Sequence, residues 1–198
     1  MEINGILLVG GRSSRLGREK TLEKIDGESL LDRAISALAP LCKTVILVAA
    51  AGKKHSGIKE TSSLKIITDI YPGKGPLVGL YSGLKQSDTL YNFVIACDMP
   101  FLSEKLIQLM IGLAPGYDIV VPRLGRRAEP LCAVYSLNCL STIEKMMKNG
   151  DYTVRNIPPK VNTRYIDGEE IASVDPKQRS FINVNREEDL TRARKLAE

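Results

Sequence analysis

Residues 3–20, INGILLVGGRSSRLGREK, constrain this chain more than any other stretch. Residues 6–9 are a short run of Ile, Leu and Val ended by two glycines, the pattern of a buried strand in a parallel sheet. The loop that follows holds Gly10, Gly11 and Gly17, two serines, and the cations Arg12, Arg15, Arg18 and Lys20. Glycine lets backbone N–H groups approach an anion with no Cβ in the way, and successive N–H groups in such turns form an anion-binding concavity. The expected unit is a central strand feeding a phosphate-holding loop.

Two familiar phosphate loops are excluded. A Walker A loop needs Gly, four residues, then Gly-Lys-Ser/Thr, whereas Gly11 and Gly17 enclose five residues and Arg18 follows. The dinucleotide fingerprint G-x-G-x-x-G is also missing. The spacing present is G-G-x-S-x-R-x-G-x-x-K, filled by Gly10, Gly11, Ser13, Arg15, Gly17 and Lys20. It resembles the signature loop of nucleotidyltransferases, which hold a nucleoside triphosphate while a second substrate displaces pyrophosphate. The plainer alternative is a Gly-rich turn carrying solvated cations.

The 198 residues fit one domain, 1–198, because single cores grow to roughly 250 residues before splitting. No run approaches the ~18 uncharged apolar residues of a membrane span, and the N-terminus lacks a basic leader segment, so the expectation is a soluble cytoplasmic protein. Cys42, Cys97, Cys132 and Cys139 sit in apolar surroundings without C-x-x-C spacing and read as free thiols. His55 is the one histidine, which excludes a zinc site built from several histidines, and no G-x-S-x-G elbow accompanies it. Any metal must be held mainly by oxygen, which beside phosphates points to Mg2+. The net charge of +5 comes with no basic tail, three Phe and no Trp. Small anionic ligands fit that balance better than nucleic acid.

Along the chain, strands and helices alternate. A short β-prone piece turns at Asp26-Gly27, Ser29 caps a helix stopped by Pro40, residues 44–49 are a buried strand, and residues 64–68 are a further strand that delivers Asp69. In YPGKGPLVGLYSGL, residues 71–84, a helix begins at Pro76 and carries Gly79 and Gly83 on one face. Interior helix glycines cost about 1 kcal/mol each, so something should lie close to that face. Residues 92–96 form a strand running into Cys97-Asp98-Met99-Pro100, with Ser103 capping the next helix. Asp98 is thereby placed at the carboxyl end of a central strand, the edge where open parallel sheets bind ligands. Strands at 117–121 and 131–135 flank a basic turn. A helix at 137–147 with Leu140, Ile143 and Met147 inward, a possible edge strand at 163–166 and a charged terminal helix complete the chain. The alternation implies a three-layer α/β/α sandwich.

Four stretches, LLVGGRSSRLGREK, DIYPGKGPLVGLYSGL, ACDMPFL and NVNREEDL, together resemble the molybdenum cofactor guanylyltransferases, which join GMP from GTP to a molybdopterin-type cofactor. The resemblance implies a Rossmann-like nucleotidyltransferase fold, of the nucleotide-diphospho-sugar transferase type, with a mainly parallel sheet. It implies that Leu8, Val9 and Gly10 lie against guanine and ribose, with Val9 replacing the family's usual Ala. It further implies that Gly11 and Ser13 belong to the nucleotide loop, that Lys20 binds the triphosphate and that Asp69 contacts the nucleoside. Asp98 would carry Mg2+, and Gly79, Asn183 and Asn185 would lie towards the acceptor. GTP and molybdopterin are the implied substrates, with cofactor-biosynthesis proteins or acceptor apoenzymes as further implied partners.

The chemistry gives an independent reason for this set. Attack on an α-phosphate spreads negative charge over its oxygens, so catalysis is mostly orientation plus cationic stabilisation, which Arg15, Lys20 and a metal on Asp98 would supply. A phosphate nucleophile is already ionised at neutral pH and needs no strong base. Plainer readings stay open: Asp98 as a helix cap, Asp69 as a turn residue, Arg126 and Arg127 as a solvated turn, Asn185 as the cap of the last helix. So do a related enzyme using CTP or a sugar or isoprenoid phosphate acceptor, and a non-catalytic nucleotide-binding module.

Overall fold

The computed structural model describes residues 1–9, 20–50, 58–71 and 74–197. Strand β1 (Ile3–Val9) is buried at every position, as a strand covered by helices on both faces must be. After a single 3-10 turn at Lys20–Leu22 comes a hairpin of β2 (Lys24–Ile25) and β3 (Glu28–Ser29). Its turn has φ of 51° at Asp26 and 78° at Gly27, the left-handed pair that suits an Asp-Gly hairpin. Ser29 Oγ then accepts from Asp32 N at 3.0 Å and starts α1 (Leu30–Leu38). β4 (Val45–Ala49) and β5 (Leu64–Thr68) follow.

Helix α2 (Pro76–Gln86) opens on proline and leads to β6 (Tyr91–Ala96). Ser103 caps α3 (Glu104–Leu113), and β7 (Ile119–Leu124) turns back through β8 (Arg127–Ala128) into β9 (Cys132–Ser136). The remaining strands and α-helices are α4 (Cys139–Lys148), β10 (Thr163–Ile166), α5 (Gly168–Val174) and α6 (Glu187–Ala197), with 3-10 turns at Val154–Asn156, Pro158–Lys160 and Arg179–Phe181.

The main sheet has the order β10-β7-β9-β6-β1-β4-β5, with β8 paired to β7. β1 runs parallel to both β4 and β6, β4 to β5, and β10 to β7. β9 is antiparallel to β6 and β7, and the two-residue β8 is antiparallel to β7, so the sheet is mainly parallel, as expected, with β9 inserted in the reverse direction. Side chains alternate along each strand and split the core in two. Ile3, Leu7 and Val9 face α1, α3 and α5, while Ile6 and Leu8 face α2 and α4. This is the α/β/α sandwich.

The glycines of α2 are explained by the strand beneath. A Cβ at Gly83 would fall 2.5 Å from Ile6 Cγ2, and one at Gly79 would fall 3.3 Å from Leu8 Cδ2, so the helix reaches β1 only without side chains there.

Two details differ from the sequence expectation. α4 buries Ile143 as expected, together with Cys139 and Met146, while Leu140 and Met147 pack on the same cluster only partly buried, because both sets satisfy helical spacing and packing alone chooses between them. α5 was not expected, since it is short and buries only Ile171; its start is held by Asp167 and Glu170 in a capping box. All four cysteines are free, and burial pushes the Cys42 and Cys139 thiols up to about 12. No helix among the described residues is long and apolar enough to cross a membrane.

A third, smaller cluster matters most for the site. Val184, Leu190 and Ala193 pack on Ile25 and Leu30, so the C-terminal segment closes over the N-terminal hairpin. Val184 N donates to Asp98 O at 2.9 Å, and residues 183–185 come to lie beside the end of β6.

Candidate active site at the carboxyl edge of the sheet

Parallel strands bring their carboxyl ends to one edge, and the candidate residues gather there. Cys97 N donates to Leu8 O at 3.2 Å, extending the β1–β6 pairing to the residue before Asp98. Lys20 Nζ lies 2.9 Å from Asp98 Oδ2 and donates to Asn185 Oδ1, also at 2.9 Å. Three segments far apart in sequence thus converge on one ammonium group. The Lys20 and Asp98 side chains are only 15% and 21% exposed, so this pair is not freely solvated.

Two open readings are decided by these contacts. The cap of α3 is Ser103, whose Oγ accepts from Leu106 N, which leaves Asp98 free of that duty. The start of α6 is held by Asp189, whose Oδ2 accepts from Asn185 N and Arg186 N at 2.9 Å each. The Asn185 side-chain oxygen is turned to Lys20 instead.

Asp98, Asn183 and Asn185 line a cleft of ≈ 510 Å³ together with Glu129, Tyr152 and Arg155. The last three were not singled out from the sequence. Glu129-Pro130 was visible only as a carboxylate after a basic turn, and nothing marked Tyr152 or Arg155 until the chain folded. Ala96 N donates to Leu131 O, which sets the approach to β9 against the end of β6. Burial raises the Glu129 pKa above the ordinary carboxylate value; Arg127 and Arg155 oppose the shift, and the Asp98 charge adds to it.

On the other side of β1, Asp69 follows β5 and donates its N–H to Ala49 O at 2.9 Å. Its Oδ1 is buried with no hydrogen-bond partner among the described residues, and burial raises its pKa. Gly79 and Leu8 press on the same oxygen's surroundings, with a Cβ at Gly79 falling 3.2 Å from Oδ1. The close approach of α2 thus accounts for Gly79 without any ligand. Leu8 and Val9 turn their side chains into the two core layers. Neighbouring strands are about 4.8 Å apart, so Asp69 beyond β5 and Asp98 beyond β6 stand about 14 Å apart across the edge. Gly10, Gly11, Ser13 and Arg15, and also His55, lie outside the described residues.

Among the described residues there is no group of three or more His, Cys, Asp or Glu that could hold a metal. A divalent cation here would have to rest on Asp98 and on oxygens brought by the substrate. That is the habit of Mg2+, which keeps water and phosphate ligands and needs only one or two carboxylates, so the donor set fits it.

A mainly parallel sheet with helices on both faces, and a lysine–carboxylate pair at its carboxyl edge, defines a nucleotidyltransferase-type α/β fold. The chain belongs to the family of the MobA-like NTP transferase domain, whose model matches residues 5–160. It is 33% identical over 198 residues, 100% of this chain and 95% of the relative, to a probable molybdenum cofactor guanylyltransferase of Pelotomaculum thermopropionicum. It is 34% identical to the molybdenum cofactor guanylyltransferase of Desulfosudis oleivorans, over 96% of this chain and 94% of the relative. The crystal structure of molybdopterin-guanine dinucleotide biosynthesis protein A from Archaeoglobus fulgidus superposes with a TM-score of 0.84 at 26% identity, covering 98% of both chains.

Proposed function

We propose that this protein transfers GMP from GTP to molybdopterin or its metal-bearing form, releasing pyrophosphate and forming the guanine dinucleotide cofactor in the cytoplasm. The observation that carries the reading is the convergence of Lys20, Asp98 and Asn185 at the carboxyl edge, in a chain similar along its whole length to guanylyltransferases.

In this reading the cleft divides at Asp98. The nucleoside lies towards β4 and β5, against the backbone of Leu8 and Val9, with Asp69 accepting a hydrogen bond from it. The acceptor lies towards β9, beside Asn183 and Asn185. Lys20 supports the triphosphate and neutralises charge that grows on its oxygens as the phosphoryl group is attacked. Arg15 adds a second cation from the glycine loop. Asp98 would hold Mg2+, which supplies Lewis-acid stabilisation of the phosphate oxygens when bound. Asn185, by holding Lys20 against Asp98, positions the cation before substrate arrives. The acceptor phosphate is the nucleophile: its oxygen bonds to the α-phosphorus as the bond to the β-phosphate bridging oxygen breaks. The electron pair leaves with pyrophosphate.

Incubating the protein with GTP, Mg2+ and molybdopterin tests this directly. Acceptor-dependent pyrophosphate release is expected, with GTP supporting it far better than CTP. Absence of release from folded protein contradicts the reading. Preference for CTP contradicts the choice of base but leaves the reaction class.

A further inference from the structure

Glu129, Tyr152 and Arg155 line the cleft without a part in the proposed transfer, and Glu129 is the carboxylate among them. Glu129 lines it on the β9 side of Asp98, away from Asp69 and Leu8. Its backbone is pinned: Glu129 N donates to Pro122 O at 3.0 Å and Cys132 N donates to Glu129 O at 3.0 Å. The next residue is fixed as well, because the hydroxyl of the fully buried Tyr135 donates to Pro130 O at 2.8 Å. The carboxylate itself feels Arg127, Arg155 and Asp98 only through space and makes no hydrogen bond or ion pair with a described residue. A half-buried carboxylate on a rigid mount, facing a cleft and left without a donor, is arranged to accept from something that enters.

The nature of that partner follows from charge. An ionised carboxylate only accepts hydrogen bonds and, with no cation between them, repels phosphates and thiolates, so its natural partner on the acceptor is a group of N–H donors and not an anionic end. The amino-pyrimidinone edge of a pterin offers an exocyclic NH2 beside a ring N–H, two coplanar donors at the spacing of carboxylate oxygens. We propose that Glu129 is the residue that recognises the acceptor, its carboxylate taking both N–H groups of the pterin edge and so directing the acceptor's phosphate towards Lys20. This rests on the guanylyltransferase reading. The guanine of GTP carries the same pair of donors, but it belongs to the far side of Asp98.

The test is steady-state pyrophosphate release by the wild type and by Glu129→Gln, Glu129→Asp and Glu129→Ala, with GTP and molybdopterin varied in turn. Removing a charge-assisted acceptor from a binding contact should raise the molybdopterin KM about tenfold or more in the Gln and Ala variants. The Asp variant should recover part of the loss, while kcat at saturating acceptor and the GTP KM stay at wild-type values, the pattern of a contact made equally in ground and transition states. Unchanged melting temperature and GTP-induced stabilisation show that the variants fold and bind nucleotide. An unchanged molybdopterin KM, or a rise in the GTP KM instead, overturns the proposal and leaves the parent reading standing. No release by the folded wild type overturns both.

Discussion

Lys20 and Asp98 lie 78 positions apart in sequence and 2.9 Å apart in space. One is set down by the 3-10 turn at the end of the glycine loop, the other by the end of β6, and the sheet brings them to the same edge. A surface ion pair contributes roughly 0–1 kcal/mol to stability, and in a pair shielded as this one is, the cost of desolvating both charges offsets much of the added attraction. In the proposed reaction the arrangement is a cation and a carboxylate placed in advance around a phosphate path. Lys20→Met should therefore lower kcat/KM for GTP on the order of 10²-fold while shifting the melting temperature little. Steady-state kinetics and thermal unfolding check this together; a large loss of stability with normal kinetics would make the pair structural.

If Asp69 contacts the nucleoside as proposed, its burial sets function against stability. Burial raises its folded-state pKa above the unfolded value. Such a group contributes stability below the unfolded carboxylate pKa, and that contribution is lost as pH rises through the raised folded pKa. Asp69→Asn should raise the melting temperature of nucleotide-free protein near neutral pH, and the gain should vanish in acid where the wild-type carboxyl is protonated. GTP affinity should fall in the same variant. A stability difference independent of pH would contradict the assignment.

Gly83 and Gly112 are both helical, yet they should respond oppositely to alanine. A Cβ at Gly83 meets Ile6 Cγ2 at 2.5 Å, whereas one at Gly112 meets nothing within 4 Å. Gly112→Ala should stabilise by about 0.5–1 kcal/mol through helix propensity. Gly83→Ala should destabilise, because overpacking of about 1–3 kcal/mol exceeds that gain. Denaturant unfolding of the two variants tests the pair, and equal responses would mean that α2 can move off β1.

Local signals carried the fold a long way. Ser29 and Ser103 cap the helices they announce, Asp26-Gly27 makes the hairpin, and the strand at residues 64–68 ends where Asp69 begins. Each depends on chemistry within a few residues. The reversed β9 was not legible, because strand direction is set by pairing partners and not by the strand's own composition. Glu129, Tyr152 and Arg155 became site residues only when β9 and the segment after α4 met at the cleft. Asn185 could be read as a helix cap or as a site residue until Asp189 was seen to hold the helix start and Lys20 the side chain. The glycines of α2 advertised a close neighbour without saying whether it was a strand or a ligand; for Gly83 it is Ile6 of β1, and for Gly79 it is the Asp69 carboxylate together with Leu8 of β1.

The most direct measurement is acceptor-dependent pyrophosphate release by Asp98→Ala beside the wild type, with saturating GTP, Mg2+ and molybdopterin and with GTP-induced thermal stabilisation followed in parallel. The expected outcome is turnover reduced on the order of 10³-fold or more with most of the nucleotide stabilisation retained. Turnover at the wild-type rate would contradict the placement of the phosphoryl transfer at Asp98 and, with it, the division of the cleft between nucleotide and acceptor.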